Sequence, residues 1–127
     1  MKFTTKTRDL VLERAQNKCE ICGSSVNNPN LHHRKPRGMG GTKNPDSRSP
    51  ANALYLHFQC HAWVESNREK SYDLGYLVKQ QEQSDKKPVL TYLGWVLLHN
   101  DGTTTTIEEA WDLEGKPVPR HSLTLDN

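Results

Sequence analysis

The sequence predicts a small α+β domain: a two-strand-and-helix unit stapled by a zinc site, with a C-terminal β-hairpin extension. Three observations predict it. All three cysteines fall in pairs with two-residue gaps, Cys19-x-x-Cys22 and His57-x-x-Cys60. Two short β-prone segments, residues 31–35 and 53–56, precede a helical segment at 60–68. A longer β-prone run at 89–98 is followed by the turn Asn100-Asp101-Gly102 and by residues 103–107, which can pair back on it.

The composition explains why a staple is needed. Apolar residues make up 33% of 127 residues. With the eight Gly counted and the four Tyr left out, the share is about 36%, below the ~45–50% of ordinary soluble domains. No run of ~18 apolar residues could span a bilayer. Met1-Lys2-Phe3-Thr4-Thr5-Lys6 has no apolar secretory stretch, so a soluble, cytoplasmic protein is expected. The formal net charge is +2, but residues 1–48 carry ten Lys/Arg against four Asp/Glu, and residues 49–127 carry seven against eleven. A basic front half suits a polyanionic partner, because Lys and Arg neutralise phosphates and release counterions.

Taken in order, residues 7–16 read as a helix, with Thr7 as N-cap and Leu10, Val11 and Ala15 on its apolar side. Cys19-Glu20-Ile21-Cys22-Gly23 follows. A Cys-x-x-Cys pair is a redox dithiol or half of a zinc site. Here it comes after a helix and ends at a Gly turn, which suits a zinc knuckle. Residues 24–30 are rich in turn formers. Residues 36–51 form a long loop punctuated by Pro36, Gly38, Gly40-Gly41 and Pro45, and loops beyond ~12–15 residues are commonly functional. In the helix at 60–68, Trp63 and Val64 can pack inward. Residues 72–79 add a turn or a short strand beyond Gly75, and the tail at 115–127 wraps loosely. Residues 1–70 make the zinc-stapled core and 71–127 the extension, packed on the same domain.

His57-x-x-Cys60 supplies the second half of the zinc site. Four N/S ligands from two knuckles satisfy tetrahedral zinc, so Cys19, Cys22, His57 and Cys60 are the expected ligands. A structural zinc contributes on the order of 10 kcal/mol to folding in small metal-dependent peptides, which answers the thin core.

His32 and His33 lie between the two pairs. On a strand, neighbouring side chains point to opposite faces, so one can bind a metal while the other meets the substrate side. Asn52 stands just before the second strand, and His61 opens a helix directly after a knuckle.

Leu31-His32-His33-Arg34, the Gly40-Gly41 loop, Asn52-Ala53-Leu54 and Cys60-His61 resemble the His-Asn-His (HNH) endonucleases, which have the ββα-metal fold. The resemblance spans residues 8–68. Gly94-Trp95-Val96-Leu97-Leu98 is similar to the C-terminal extension of small phage-encoded nucleases, so the resemblance implies a phage or prophage protein working in the host cytoplasm. It implies an enzyme that hydrolyses phosphodiester bonds of double-stranded DNA, leaving 5′-phosphate and 3′-hydroxyl ends. His33 would be the general base, and His32 and His61 would hold one catalytic divalent cation, Mg²⁺, Mn²⁺ or a similar ion. Asn52 would brace the loop and orient His33. Rival readings are a non-catalytic zinc module that binds nucleic acid, and an accessory of DNA packaging whose partners are phage packaging proteins.

The chain departs from the family pattern at two places. Many zinc-bearing members have Cys where this chain has His57. The family often has a further His or Asn in the final helix, and here Glu65 stands one turn after His61. It could be a ligand, a partner acting through water, or a surface charge; Asn67 is a weaker candidate. Arg34, Lys35, Arg37, Lys43 and Arg48 are read as phosphate contacts. Trp63, Trp95 and Trp111 are read as core residues, and His99 and His121 as surface histidines.

Overall fold

The structure, a computed structural model, describes residues 3–35 and 48–106. It is a small mixed α/β protein with three α-helices and two small antiparallel sheets among the described residues. Helix α1 spans Thr5–Ala15 and starts earlier than the sequence suggests, because Thr4 caps it: its Oγ1 accepts from the Thr7 amide at 3.1 Å. Thr7 is instead buried on the inner face with Val11 and Ala15, at the i, i+4, i+8 spacing of one helix face. Its hydroxyl donates to the Arg48 carbonyl at 2.7 Å, 41 residues away.

Strands β1 (Asn30–His33) and β2 (Ala53–Leu56) pair antiparallel, with His32 opposite Leu54 and His33 opposite Ala53. A short 3-10 turn, Pro50–Asn52, leads into β2. Helix α2 (Phe58–Ser66) begins one residue after the His57 N-cap and gives way to α3 (Arg68–Leu74) at Asn67. Gly75 ends α3 in the left-handed region at φ 85°, with a Cβ's position only 2.0 Å from the Pro88 carbonyl oxygen, so only glycine fits. The expected turn beyond Gly75 is present, and residues 76–78 run buried along the core.

The β-prone run at 89–98 is two strands. β3 (Val89–Thr91) and β4 (Gly94–Leu98) form a hairpin whose loop is Tyr92-Leu93. Thr91 Oγ1 accepts from the Leu93 amide at 3.1 Å and donates to the Gly94 carbonyl at 2.8 Å, and Gly94 takes φ 111°. Tyr is a good strand former and Leu is no turn former, which is why the sequence reads as one continuous run. β4 then pairs with β5 (Thr104–Thr106), as the Asn-Asp-Gly turn suggests; Ile107 lies outside the described residues.

One core joins residues from both sides of position 70. Cys19, Leu54, Leu56 and Val64 are buried in a single cluster with Tyr76, Val89, Trp95 and Leu98. Phe3, Val11, Ala15, Ala53 and Tyr55 form a second cluster on the other face of β2. Trp63, expected inside, is at the boundary with 36% exposure and meets Tyr76 edge-on. Trp111 lies outside the described residues.

Arg34 corrects the expectation that it grips phosphate. It is 0% exposed, and its guanidinium donates to the carbonyls of Gly75 (2.8 Å), Ala51 (2.8 Å), Ser84 (2.9 Å) and Lys87 (2.7 Å). Those donors bind the end of β1 to the turn before β2 and to the segment carrying Gly75 and Lys87. A planar fork of five N–H groups can serve four carbonyls; an ammonium with three donors cannot. Both Arg34→Met and Arg34→Lys are therefore expected to lower unfolding free energy by about 3 kcal/mol or more, since charge-assisted bonds contribute about 1.5–3 kcal/mol each and the carbonyls stay buried. Denaturant unfolding measures this, and a lysine variant as stable as wild type would refute the fork argument.

Candidate functional site

The first cluster is built by two knuckles. Cys19 and Cys22 sit in a turn closed by the Gly23 amide donating to the Cys19 carbonyl at 2.8 Å, with Gly23 at φ 81°. The Tyr92 ring lies 2.8 Å from where a Gly23 Cβ would stand, so the β3–β4 hairpin tip rests on this knuckle. His57 caps α2, and Cys60 is in its first turn. The donor atoms of Cys19, Cys22, His57 and Cys60 all lie within 4.8 Å of one another, and His57 Nε2 is 3.0 Å from Cys60 Sγ. Zinc–sulfur bonds of about 2.3 Å in a tetrahedron set sulfurs roughly 3.8 Å apart, so the cluster fits zinc with little adjustment. Cys19 and Cys60 share a hydrogen bond that shifts them in opposite directions. Hydrogen bonding from Cys60 pulls Cys19 down to about 5, against the opposing effect of burial and with help from backbone amides, while the same sharing pushes Cys60 up. The cluster could bind a structural metal such as zinc.

The second cluster lies where β1 meets α2. One ring nitrogen each from His32 and His61 and a Glu65 carboxylate oxygen lie within 4.8 Å of one another. Glu65 Oε2 is 3.9 Å from His32 Nδ1 and 3.8 Å from His61 Nε2. His32 Nε2 is 2.8 Å from the Tyr76 carbonyl oxygen. A carbonyl only accepts, so Nε2 carries the hydrogen and Nδ1 turns its lone pair to the other two groups. Burial, followed by the field of His61, pulls His32 down to about 4, so its ring is neutral at pH 7. Glu65 Oε1 is engaged by Arg68 at 3.1 Å, which leaves Oε2 for the imidazoles. Two imidazole nitrogens and one carboxylate oxygen are a donor set that could hold a metal ion, with the Tyr76 carbonyl orienting one ligand from behind.

Strand alternation sends His33 the other way. Its ring stacks on Phe3 with centroids 3.9 Å apart and planes at 11°. Its Nε2 is buried without a hydrogen-bond partner among the described residues, and burial lowers its pKa.

Asn52 is fully buried, and its Oδ1 accepts from the Lys35 amide at 2.8 Å and the Ser84 hydroxyl at 2.7 Å. Its carbonyl accepts from the Arg34 amide at 2.8 Å. These bonds hold the backbone directly after His33.

The basic residues divide. Lys35, expected on phosphate, is 3% exposed and packed inside with Arg34. Arg48 is exposed, while Arg37 and Lys43 lie outside the described residues. His99, expected on the surface, is half-buried with Nε2 2.6 Å from Thr105 Oγ1; His121 lies outside the described residues. Asn67 donates its side-chain amide to the Trp63 carbonyl at 2.9 Å, closing α2. Sequence reasoning missed Phe3, Arg68 and the Tyr76 carbonyl. A backbone oxygen leaves no trace in residue identity and Phe3 stands in no recognisable spacing with the histidines, whereas the i, i+3 spacing of Glu65 and Arg68 was a signal that could have found Arg68.

Fold and site together define a small α/β protein with a Cys3His cluster suited to a structural metal. No family model, curated protein or solved structure matches the chain. Among the described residues no helix is long and apolar enough to cross a membrane.

Proposed function

We propose that the chain is a metal-dependent DNA endonuclease of the HNH, ββα-metal kind, acting on double-stranded DNA in a phage or prophage setting. The observation that carries the proposal is the convergence of His32, His61 and Glu65 at the β1–α2 junction, with His33 next to His32 on β1. Asn52 at the entry to β2 supports it, because it fixes the backbone that follows the two histidines.

In this reading His32, His61 and Glu65 hold a divalent cation, which when bound polarises the scissile phosphate and stabilises the leaving 3′ oxygen. His33 accepts the proton of the attacking water. Nε2 is buried, so the proton is assigned to Nδ1. Desolvation favours the neutral imidazole, the form a base must have. The exposed Arg48 attracts the DNA backbone without regard to sequence, whereas the buried Arg34 and Lys35 take no part.

The test is supercoiled plasmid incubated with zinc-loaded protein and Mg²⁺, Mn²⁺ or Ni²⁺, with an EDTA control. Imidazole-rich donors favour Mn²⁺ and Ni²⁺ over Mg²⁺, a hard ion that prefers oxygen and keeps its waters. Cleavage is expected to be faster with Mn²⁺ or Ni²⁺ than with Mg²⁺. Glu65→Gln should weaken Mn²⁺ binding, read by calorimetry, by about tenfold or more. Folded, zinc-loaded protein that shifts DNA in a gel but cuts with no divalent ion would overturn the proposal in favour of a non-catalytic nucleic-acid-binding module.

A further inference from the structure

We propose that Phe3 is a positioning residue for His33, holding the imidazole plane so that Nδ1 faces the attacking water; this rests on the nuclease reading above. His33 leaves β1 on the face opposite His32, away from the Tyr76 carbonyl that orients His32. No hydrogen bond from a described residue holds its Nε2. A histidine ring on a strand keeps a broad freedom about χ2 unless something restrains it. The restraint present is Phe3, whose ring lies 3.9 Å from the imidazole and nearly parallel to it at 11°. Phe3 is itself 8% exposed and packed with Val11, Ala15, Ala53 and Tyr55, so it is a fixed platform. The capped start of α1 at Thr4 and the Thr7–Arg48 hydrogen bond secure the chain next to it. A general base must meet its proton within hydrogen-bond reach and in line, so a ring free to tilt loses rate without losing substrate affinity.

The experiment compares wild type, Phe3→Leu and Phe3→Tyr in plasmid cleavage, with KM and kcat separated and zinc content and melting temperature measured for each. Leucine keeps an apolar side chain in the cluster but removes the flat ring; tyrosine keeps the ring. Phe3→Leu is expected to lower kcat by about tenfold with KM for DNA unchanged and zinc retained. Phe3→Tyr is expected to restore most of the loss. In an NMR spectrum the His33 ring protons should move on Phe3→Leu, because they lose the ring current of the stacked phenyl, and should stay near their wild-type positions in Phe3→Tyr. Wild-type kcat in Phe3→Leu, or equal loss in both variants, overturns the positioning role while leaving the nuclease standing. Absence of cleavage by folded, zinc-loaded wild type overturns the nuclease and the positioning role together.

Discussion

Replacing His33 with alanine is expected to slow plasmid cleavage by about 10³-fold, within the ~10²–10⁴-fold that a positioned general base supplies. The same variant should bind DNA, retain zinc and melt near the wild-type temperature. The reason is local: the ring stands on Phe3 and its Nε2 bonds to nothing among the described residues, so its removal orphans no partner. Glu65→Gln should weaken binding of the divalent ion, whereas His33→Ala should leave that binding unchanged, because His33 points away from His32, His61 and Glu65. Calorimetry with Mn²⁺ on His33→Ala checks this directly. Cleavage that survives His33→Ala undiminished would remove His33 from the mechanism.

The second large effect concerns the Cys3His cluster. Cys19→Ser is expected to lose zinc and, with it, cooperative folding, since structural zinc contributes on the order of 10 kcal/mol in small metal-dependent peptides. Cys19 is buried in the main core, so its replacement alone could disturb packing. Cys22→Ser separates the two causes, because Cys22 is exposed and touches Ser24 rather than the core. If the metal is what matters, both variants lose zinc by elemental analysis and both lose a sharp thermal transition. A Cys22→Ser protein that melts like wild type without zinc would show that the cluster is not needed for folding. The coupling has a visible route: the knuckle carries Gly23, on which Tyr92 of the β3–β4 hairpin rests, and the Glu20 carbonyl accepts from the Tyr92 amide at 3.2 Å. Loss of the knuckle therefore undocks the hairpin.

Much of the framework was legible because it is local. The spacing of Val11 and Ala15, the Gly23 turn and the apolar run of β2 each depend on residues a few positions apart. The Cys19-x-x-Cys22 and His57-x-x-Cys60 pairs were legible for the same reason. Strand alternation by itself separates His32 from His33. Among the readings that failed, three did so through a contact made elsewhere. Thr7 is not the cap of α1 because its hydroxyl goes to the Arg48 carbonyl. The run at 89–98 is not one strand because Thr91 and Gly94 close a two-residue turn at Tyr92-Leu93. Arg34 and Lys35 are not phosphate contacts, although a basic pair beside two histidines reads that way, because the chain folds over them.

By itself, then, the sequence determined the inventory of donors and their local geometry: which cysteines and histidines share a knuckle, and which neighbours point apart. Only the tertiary structure decided which donors meet, which charges are buried and what orients each ring. Those outcomes depend on contacts between distant residues, such as His32 with the Tyr76 carbonyl across 44 positions and Arg34 with the Lys87 carbonyl across 53. Backbone carbonyls are the same in every residue. Their convergence on an imidazole or a guanidinium is a property of the path of the chain through space, and residue identity does not record it.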